Sequence, residues 1–460
     1  MGKLRQIGLS MMLFNSRLIR LTLASILGGL LIGLVGGAFR YLLITLDGLR
    51  TELILWAHAR PLIGWLAPVA LGAAGAWLAR LLVVRFAPTA EGSGVQRVEA
   101  VFSGEAEPAS PVVVPVKFVG GLLAMGSGLA LGREGPTVQM GASFGVWVSR
   151  FLVPGEEDRR VVEAASAGAG LAVAFNAPIG GSLFVFEELT SSFTPWLLVS
   201  TLAASTVAVW LMRVLLGNAL SFTVQQVSPT AIWNKWPFLA LGALLGVIGL
   251  LYNAVILRLL RLSDRLSNIS SLNRAAIIGG VVGVVAWFAP GMVGGGDTLT
   301  QTILSNQFTI SILTMLFVAR FLLGCWSYAA GAPGGLFAPM ILLGACSGAL
   351  FAAIVNHLLP NAVLSPAACA IVGMGALFTA CVRAPLTGIV LAIEMTGRAD
   401  LTLGLLGACL MAMVVTTLLQ SEPIYESLKH RMLSQVTVSP RKIDVGVERR
   451  PGGHPPPDRN

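Results

Sequence analysis

A serine and a glutamate lie in glycine-rich turns, where free backbone N–H groups can bind an anion. Ser93 lies between Gly92 and Gly94, directly before residues 95–99, which we predict to begin a helix. Glu134 lies within the motif Gly-Arg-Glu-Gly-Pro at residues 132–136. A helix N-terminus attracts anions through its free N–H groups and its dipole. A carboxylate at such a place competes with the anion and leaves when protonated, so this arrangement predicts linked occupancy by protons and anions.

A third turn, Gly-Gly-Leu-Phe-Ala-Pro at residues 334–339, has the same character. Pro136 and Pro339 suit the first position of a helix, because proline lacks the N–H that a helix start leaves free. We therefore expect three helix N-termini to meet at one anion site. Each turn taken singly is also compatible with an ordinary helix break.

The elements that must position these turns are membrane helices. The 460 residues are 55% hydrophobic and only 12% charged, which gives more apolar surface than a water-soluble fold of this size can bury. About 20 apolar residues cross a bilayer. Stretches near this length lie at residues 22–39, 196–210, 238–257, 275–289, 310–330 and 401–419. Several are short or interrupted by glycine, so their number alone does not give the number of crossings.

The net charge of +9 would suggest nucleic-acid binding in a soluble protein. In a membrane protein, lysine and arginine at helix ends follow the positive-inside rule, and we expect no nucleic-acid partner. Basic residues lie near both ends of the chain: Lys3, Arg5, Arg17, Arg20, Lys429, Arg431, Arg441 and Lys442. This distribution predicts two cytoplasmic termini, a retained first helix and an even number of crossings.

The two halves of the chain repeat one another. The spacing Gly-x3-Pro-x4-Gly-x3-Gly begins at Gly132 and again at Gly335, 203 residues later. A second block, from Gly168 to Glu187, matches a block 207 residues downstream. We predict an all-α polytopic protein with two inverted-topology repeats whose broken helices meet at the membrane midplane. The predicted segments are a cytoplasmic N-terminus (1–20), a first repeat (20–217), a connecting loop (218–232), a second repeat (233–432) and a polar, disordered tail (433–460).

No metal site or organic cofactor is expected. Five cysteines lie in apolar segments without CxxC spacing, and four histidines are scattered singly. An intramembrane hydrolase using Ser93 would need a histidine within an apolar span as base, and none has that position, so we expect no enzyme activity.

Glu187 and Glu188 end the helix that begins at Pro178, so they lie near the membrane face opposite that helix break. The alternative to a functional role is that both are interfacial carboxylates that reach water. Tyr425 follows the last apolar stretch, where tyrosines often only anchor a helix.

Four ordered motifs resemble the CLC family of chloride channels and chloride/proton antiporters. They are Gly-Ser-Gly at 92–94, Gly-Arg-Glu-Gly-Pro at 132–136, Gly-Leu-Phe-Ala-Pro at 335–339 and Pro-Ile-Tyr at 423–425. The likeness extends over about residues 20–432. The first motif departs from the commoner Gly-Ser-Gly-Ile-Pro through Val95 and Gln96, a difference that bears on selectivity and rate.

The resemblance implies roles for individual residues. Ser93, Tyr425 and the backbone N–H groups of Leu336 and Phe337 would bind the central chloride. The backbone near Arg133, Glu134 and Gly135 would bind an outer anion. Glu134 would also be the gate and external proton acceptor, and Glu188 the internal proton-transfer group.

The resemblance also implies the transported ions and the assembly. Chloride, with bromide or nitrate as alternatives, would exchange for protons through a homodimer in a prokaryotic plasma membrane. A serine at position 93 favours chloride over nitrate, and a glutamate at position 188 favours an antiporter. A passive chloride channel of the same fold is the alternative.

Overall fold

Helices make up almost all of the computed structural model, which describes residues 2–60, 62–224, 236–266, 268–361 and 363–438, with side chains from residue 16 to residue 435. The helices in these ranges are α1 (Gly2–His58), α2 (Leu66–Phe86), α3 (Val95–Phe102), α4 (Val113–Gly126), α5 (Glu134–Leu152), α6 (Glu156–Phe175), α7 (Pro178–Phe184), α8 (Pro195–Leu216), α9 (Trp236–Arg265), α10 (Ser271–Phe288), α11 (Asp297–Ser305), α12 (Ile310–Ala329), α13 (Phe337–Leu358), α14 (Pro366–Val382), α15 (Pro385–Thr396), α16 (Thr402–Leu418) and α17 (Ile424–Val438). A π-helical turn, Val185–Leu189, extends α7.

Eight helices of the described chain are long and apolar enough to cross a bilayer. Six of them contain the apolar stretches expected from the sequence, and α2 and α13 are two more. Both contain glycine or proline within their apolar runs, which hid them in the sequence. The chain is a multi-pass membrane protein, as predicted.

The two predicted repeats are related by contacts between equivalent residues. Gly132 and Gly335 exchange two backbone hydrogen bonds, with N···O distances of 2.9 and 2.7 Å. Glu187 accepts hydrogen bonds from the start of α15, and Glu394 accepts them from the start of α7. In both cases a residue of one repeat makes the same contact with the other repeat as its equivalent makes in return. Such reciprocal contacts occur only close to a local twofold axis. The order of helices agrees, since α1–α8 and α9–α16 form two matching sets, and the inverted-repeat fold is confirmed.

Tight helix pairs surround the midplane. Gly344 of α13 and Gly373 of α14 face each other so closely that a Cβ atom on either would clash with the backbone of the other. Small residues allow this approach in a membrane, where van der Waals contact replaces the hydrophobic effect as the main attraction between helices. The short helices α3 and α7 are mostly buried, so their free backbone groups face protein.

Parts of the predicted segment boundaries fall outside the described residues. The loop predicted at 218–232 is described only to residue 224, and α17 continues past residue 432 to Val438. The rest of the predicted tail lies outside the described residues, as do Arg441, Lys442 and His454 and the side chains of Lys3 and Arg5.

Candidate functional site

The turn around Ser93 has the backbone conformation that its glycines allow. Gly92 and Gly94 have φ values of +62° and +85°, a region that L side chains rarely adopt. The helix that follows begins at Val95, as predicted. Lys117 of α4 is fully buried and donates to the carbonyl oxygens of Gly92 (2.7 Å) and Ser93 (3.0 Å). A cation therefore lies directly behind the turn that presents the serine.

The N-termini of α5 and α13 meet beside this turn. The reciprocal Gly132 and Gly335 hydrogen bonds join the two turns, and the carboxylate of Glu134 accepts a hydrogen bond from the Phe337 N–H at 2.7 Å. Glu134 has no exposed surface. Its carboxylate thus occupies a place toward which a free N–H group at the start of α13 points.

The predicted position of the two prolines in these helices is wrong by two residues. The helices α5 and α13 begin at Glu134 and Phe337, so Pro136 and Pro339 are each the third helical residue. The residues that precede the two helices, Arg133 and Leu336, already have helical backbone angles. Proline is still tolerated there because the third N–H of a helix has no intrahelical partner.

Two hydroxyl groups, of Ser93 and Tyr425, lie at the same site. Both residues are completely buried, and within the described chain neither hydroxyl makes a hydrogen bond of normal geometry. The Tyr425 ring contacts that of Phe337, with centroids 5.5 Å apart. Phe337 also contacts three other buried rings, those of Phe175, Phe184 and Phe378. Buried hydroxyls normally find partners, so these two are suited to an acceptor that is not part of the protein.

Tyr425 is therefore not a membrane-interface anchor, the alternative that its sequence position allowed. The structure brings together Ser93, Glu134, Phe337 and Tyr425, with Leu336, Arg133 and Gly135 as their chain neighbours. Gly135 lies so close to Ser93 that a Cβ atom would contact its backbone.

Glu188 lies at a separate cavity of about 300 Å³, which Glu99, Glu426, Arg383 and Lys429 also line. We call this the Glu188 cavity. Lys429 donates to Glu99 at 2.7 Å. Glu188 is carried by the π-helical turn, and such turns frequently mark functional positions.

Glu187 has a structural role different from that of its neighbour. Its carboxylate accepts from the N–H groups of Leu386 (3.0 Å) and Thr387 (2.6 Å) and from the Thr387 hydroxyl (2.7 Å). It therefore caps α15 and joins the two repeats. Neither glutamate is a simple exposed interfacial carboxylate.

A second cavity, of about 490 Å³, opens beside Glu134 and is lined by Gly132, Arg133, Ala338 and Asp297. We call this the Arg133 vestibule. Arg133 forms an ion pair with Asp297 at 2.7 Å. The far end of α1, around Asp47, also lines it.

The two cavities open toward opposite membrane faces. Arg17, near the start of α1, pairs with Asp158 of α6. Arg160, also of α6, donates to the carbonyl oxygen of Phe102, and the next residue, Ser103, lines the Glu188 cavity. Asp47 lies 30 residues further along α1, a rise of about 45 Å at 1.5 Å per residue. The site between Ser93 and Tyr425 thus lies between two openings.

Sequence reasoning missed a second glycine turn. Gly294, Gly295 and Gly296 precede α11 as Gly92, Ser93 and Gly94 precede α3, and Gly294 and Gly296 have φ values of +76° and +96°.

It also missed the two buried cations behind these turns. Arg320 donates to the carbonyl oxygens of Gly294 (3.0 Å) and Gly295 (3.4 Å), as Lys117 does at the first turn. Arg320 follows Lys117 by 203 residues, the offset of the first repeated block. A lone basic residue at the same repeat position in two apolar helices was the available signal.

The described residues hold no group of three His, Cys, Asp or Glu side chains that could bind a metal ion. All five cysteines are buried and unpaired. The three described histidines, His58, His357 and His430, belong to the last turns of α1 and α13 and to α17.

Residues 75–417 match the sequence profile of the family described as voltage gated chloride channel. The chain belongs to the CLC family. This agrees with the resemblance found in the four sequence motifs.

Curated relatives match nearly the whole chain. The H(+)/Cl(-) exchange transporter ClcA of Vibrio parahaemolyticus is 40% identical over 419 residues, which are 88% of each chain. The protein of the same name from Cronobacter sakazakii is 36% identical over 426 residues, 90% of each chain. A solved slow cyanobacterial Cl-/H+ antiporter has 34% identity and a TM-score of 0.87, with 91% of this chain and 99% of that one covered. A eukaryotic CLC transporter at 23% identity and a TM-score of 0.78 shares the fold.

Proposed function

We propose that this chain exchanges chloride for protons, with the anion and the Glu134 carboxylate competing for one buried site. The observation that carries the proposal is the hydrogen bond from the Phe337 N–H to Glu134 at 2.7 Å, in a site that also holds two buried hydroxyls without partners. The relatives named as exchange transporters and the solved antiporter support the same activity.

Chloride would bind between the Ser93 and Tyr425 hydroxyls and the N–H groups of Leu336 and Phe337. All four residues are completely buried, so the site replaces water with a fixed set of donors. Lys117 adds positive charge behind the serine turn. Bromide and nitrate are alternative anions for these donors, and the serine at position 93 is the feature that favours chloride.

Glu134 would couple the two ions. While ionised, its carboxylate occupies donors that an anion could use; once protonated, it loses its attraction for them and can turn toward the Arg133 vestibule. Anions would then enter near Arg133, Glu134 and Gly135. Protonation would thus move the carboxylate out of the place that chloride takes. Binding of the proton and binding of chloride would therefore be linked, as exchange requires.

Glu188 would carry the proton between the Glu188 cavity and the interior. This assignment rests on its place in a cavity that is large enough to hold water and is also lined by Glu99, Glu426 and Lys429, which could pass protons to the aqueous phase. A passive channel would have no use for a carboxylate here. The capping role of Glu187 leaves Glu188 as the free member of the pair.

The chain would be a homodimer in the plasma membrane of a prokaryote, with both termini in the cytoplasm. The bacterial source of the related exchange transporters and the basic residues near both chain ends support this arrangement. The Glu188 cavity would then face the cytoplasm and the Arg133 vestibule the outside.

The test is proton movement in proteoliposomes with an imposed chloride gradient and the voltage clamped by an ionophore. We expect uphill proton flux that is lost in Glu134→Ala and in Glu188→Gln, while Glu188→Gln still transports chloride. Glu187→Gln is the matched control, since it changes the adjacent carboxylate and should leave exchange in place. Chloride flux without proton movement in the unaltered protein would make it a passive channel and refute the proposal.

A further inference from the structure

The two glycine turns of the repeats differ in one residue that changes their charge. The residue after the first turn is Val95, and the residue after the second turn is Asp297. Each is the first residue of its helix, α3 or α11. A carboxylate in the first turn of a helix offsets the positive dipole end that would otherwise attract an anion. The first turn therefore leaves its helix end open to an anion, and the second carries its own negative charge.

Asp297 is also the partner of the arginine next to the gate. Its carboxylate accepts from the Arg133 guanidinium at 2.7 Å, and the Arg133 Nε donates to the Ala174 carbonyl at 2.8 Å. The Arg133 side chain is 10% exposed and that of Asp297 is 46% exposed. The arginine is thus fixed in place, while the aspartate faces the water of the vestibule.

Asp297 is the carboxylate of the vestibule that pairs with Arg133. Asp47, on the vestibule wall, forms its own ion pair with Arg50 at 2.5 Å. Glu52 is exposed at the same opening and forms no ion pair in the described structure. Arg40 is a further cation whose charge interacts with both Arg133 and Asp297.

We propose that Asp297 sets the chloride affinity of the transporter by masking the charge of Arg133. This inference rests on the proposed function, because it assigns an affinity-determining residue to the same anion pathway. Asp297 is a positioning residue that acts through Arg133. With Asp297 in place, an anion in the vestibule meets a neutral pair; without it, the same anion meets an arginine that the Ala174 carbonyl still holds toward the gate.

The experiment is calorimetric titration of chloride into the purified full-length protein at low ionic strength, with Asp297→Asn, Asp297→Ser and Asp297→Glu. Removing one charge a few ångströms from an anion in a watery opening corresponds to roughly a three- to tenfold gain in affinity. We expect this gain in Asp297→Asn and in Asp297→Ser, which suits a helix start, and no gain in Asp297→Glu. Added sodium gluconate should shrink the gain, because salt screens exposed charges.

Glu52→Gln is the matched control, with the same loss of charge at the same opening and no contact with Arg133. We expect it to change chloride affinity by less than twofold. An unchanged affinity in both Asp297→Asn and Asp297→Ser, or an equal gain in Glu52→Gln, would overturn the proposal. Exchange activity in proteoliposomes separates the two hypotheses: coupled exchange with unchanged affinity in these variants rejects the role of Asp297 and leaves the proposed function standing.

Discussion

Lys117 is the buried cation whose removal should affect chloride binding most. Its Nζ lies 3.0 Å from the carbonyl oxygen of Ser93, the residue whose hydroxyl would bind the anion in the proposed site. A chloride bound at that hydroxyl would then lie roughly 6 to 7 Å from the ammonium. At an effective dielectric constant of about 20, two unit charges at this separation interact by about 2.5 kcal/mol. Lys117→Met should therefore weaken chloride binding roughly 50- to 100-fold.

The chain offers a matched control in Arg320, the equivalent cation of the second repeat. Both side chains are buried, and both donate to carbonyl oxygens of a glycine turn. Arg320→Met should lower stability by a similar amount, about 1 to 3 kcal/mol, because each change leaves buried carbonyl oxygens without donors. Its effect on chloride affinity should be several times smaller, since its turn carries no serine.

Calorimetric chloride titration and thermal unfolding of the two variants in the same detergent provide the comparison. Lys117→Gln adds a second test, because an amide keeps a donor for one carbonyl oxygen but has no charge. Loss of affinity in Lys117→Gln as large as in Lys117→Met would assign the effect to the charge. Affinity within twofold of the unaltered protein in both Lys117 variants would refute the electrostatic argument, and Lys117 would then be only a hydrogen-bond donor to the turn.

Two further substitutions act within the anion site. Tyr425→Phe removes one hydroxyl donor and keeps the ring against Phe337, so chloride affinity in a calorimetric titration should fall about fivefold to tenfold, the equivalent of about 1 to 1.4 kcal/mol; an unchanged affinity would remove Tyr425 from the site. In Gly335→Ala the new Cβ atom would clash with the Glu134 carboxylate, so this carboxylate should lose its hydrogen bond from the Phe337 N–H. Chloride flux at alkaline pH should then rise relative to the unaltered protein. Flux that keeps its pH dependence in Gly335→Ala would contradict the seated-gate mechanism.

Much of the fold could be predicted because its two signals, the length of apolar stretches and the repeated motifs, can be recognised without knowing any contact between distant segments. Apolar length predicted six of the eight long apolar helices, and the repeated Gly-x3-Pro blocks predicted the twofold relation that the Gly132 and Gly335 hydrogen bonds display. The start of α3 at Val95 followed from its glycine turn. The starts of α5 and α13 were misplaced by two residues, since proline at the third position satisfies the same backbone requirement as proline at the first.

The parts of the site that escaped prediction depend on contacts between distant segments. Nothing local to Tyr425 distinguishes a buried hydroxyl from an interfacial one, and the motif resemblance alone assigned it to the anion site. The different roles of Glu187 and Glu188 follow from the position of α15, whose first N–H groups take the Glu187 carboxylate. The two adjacent glutamates have different surroundings because only Glu187 accepts hydrogen bonds from the start of α15.

The internal symmetry of the chain gives a reason why the proposed anion site would form at only one of two equivalent turns. Each repeat supplies a glycine turn, a short helix and a buried cation behind the turn, which is Lys117 in one repeat and Arg320 in the other. The backbone alone would therefore make two similar anion sites. Side chains distinguish them: Ser93 adds a donor to the first, whereas Asp297 adds a negative charge to the second and pairs with Arg133. In the proposed mechanism, divergence at these positions within a shared backbone would favour chloride at the Ser93 turn over the second turn.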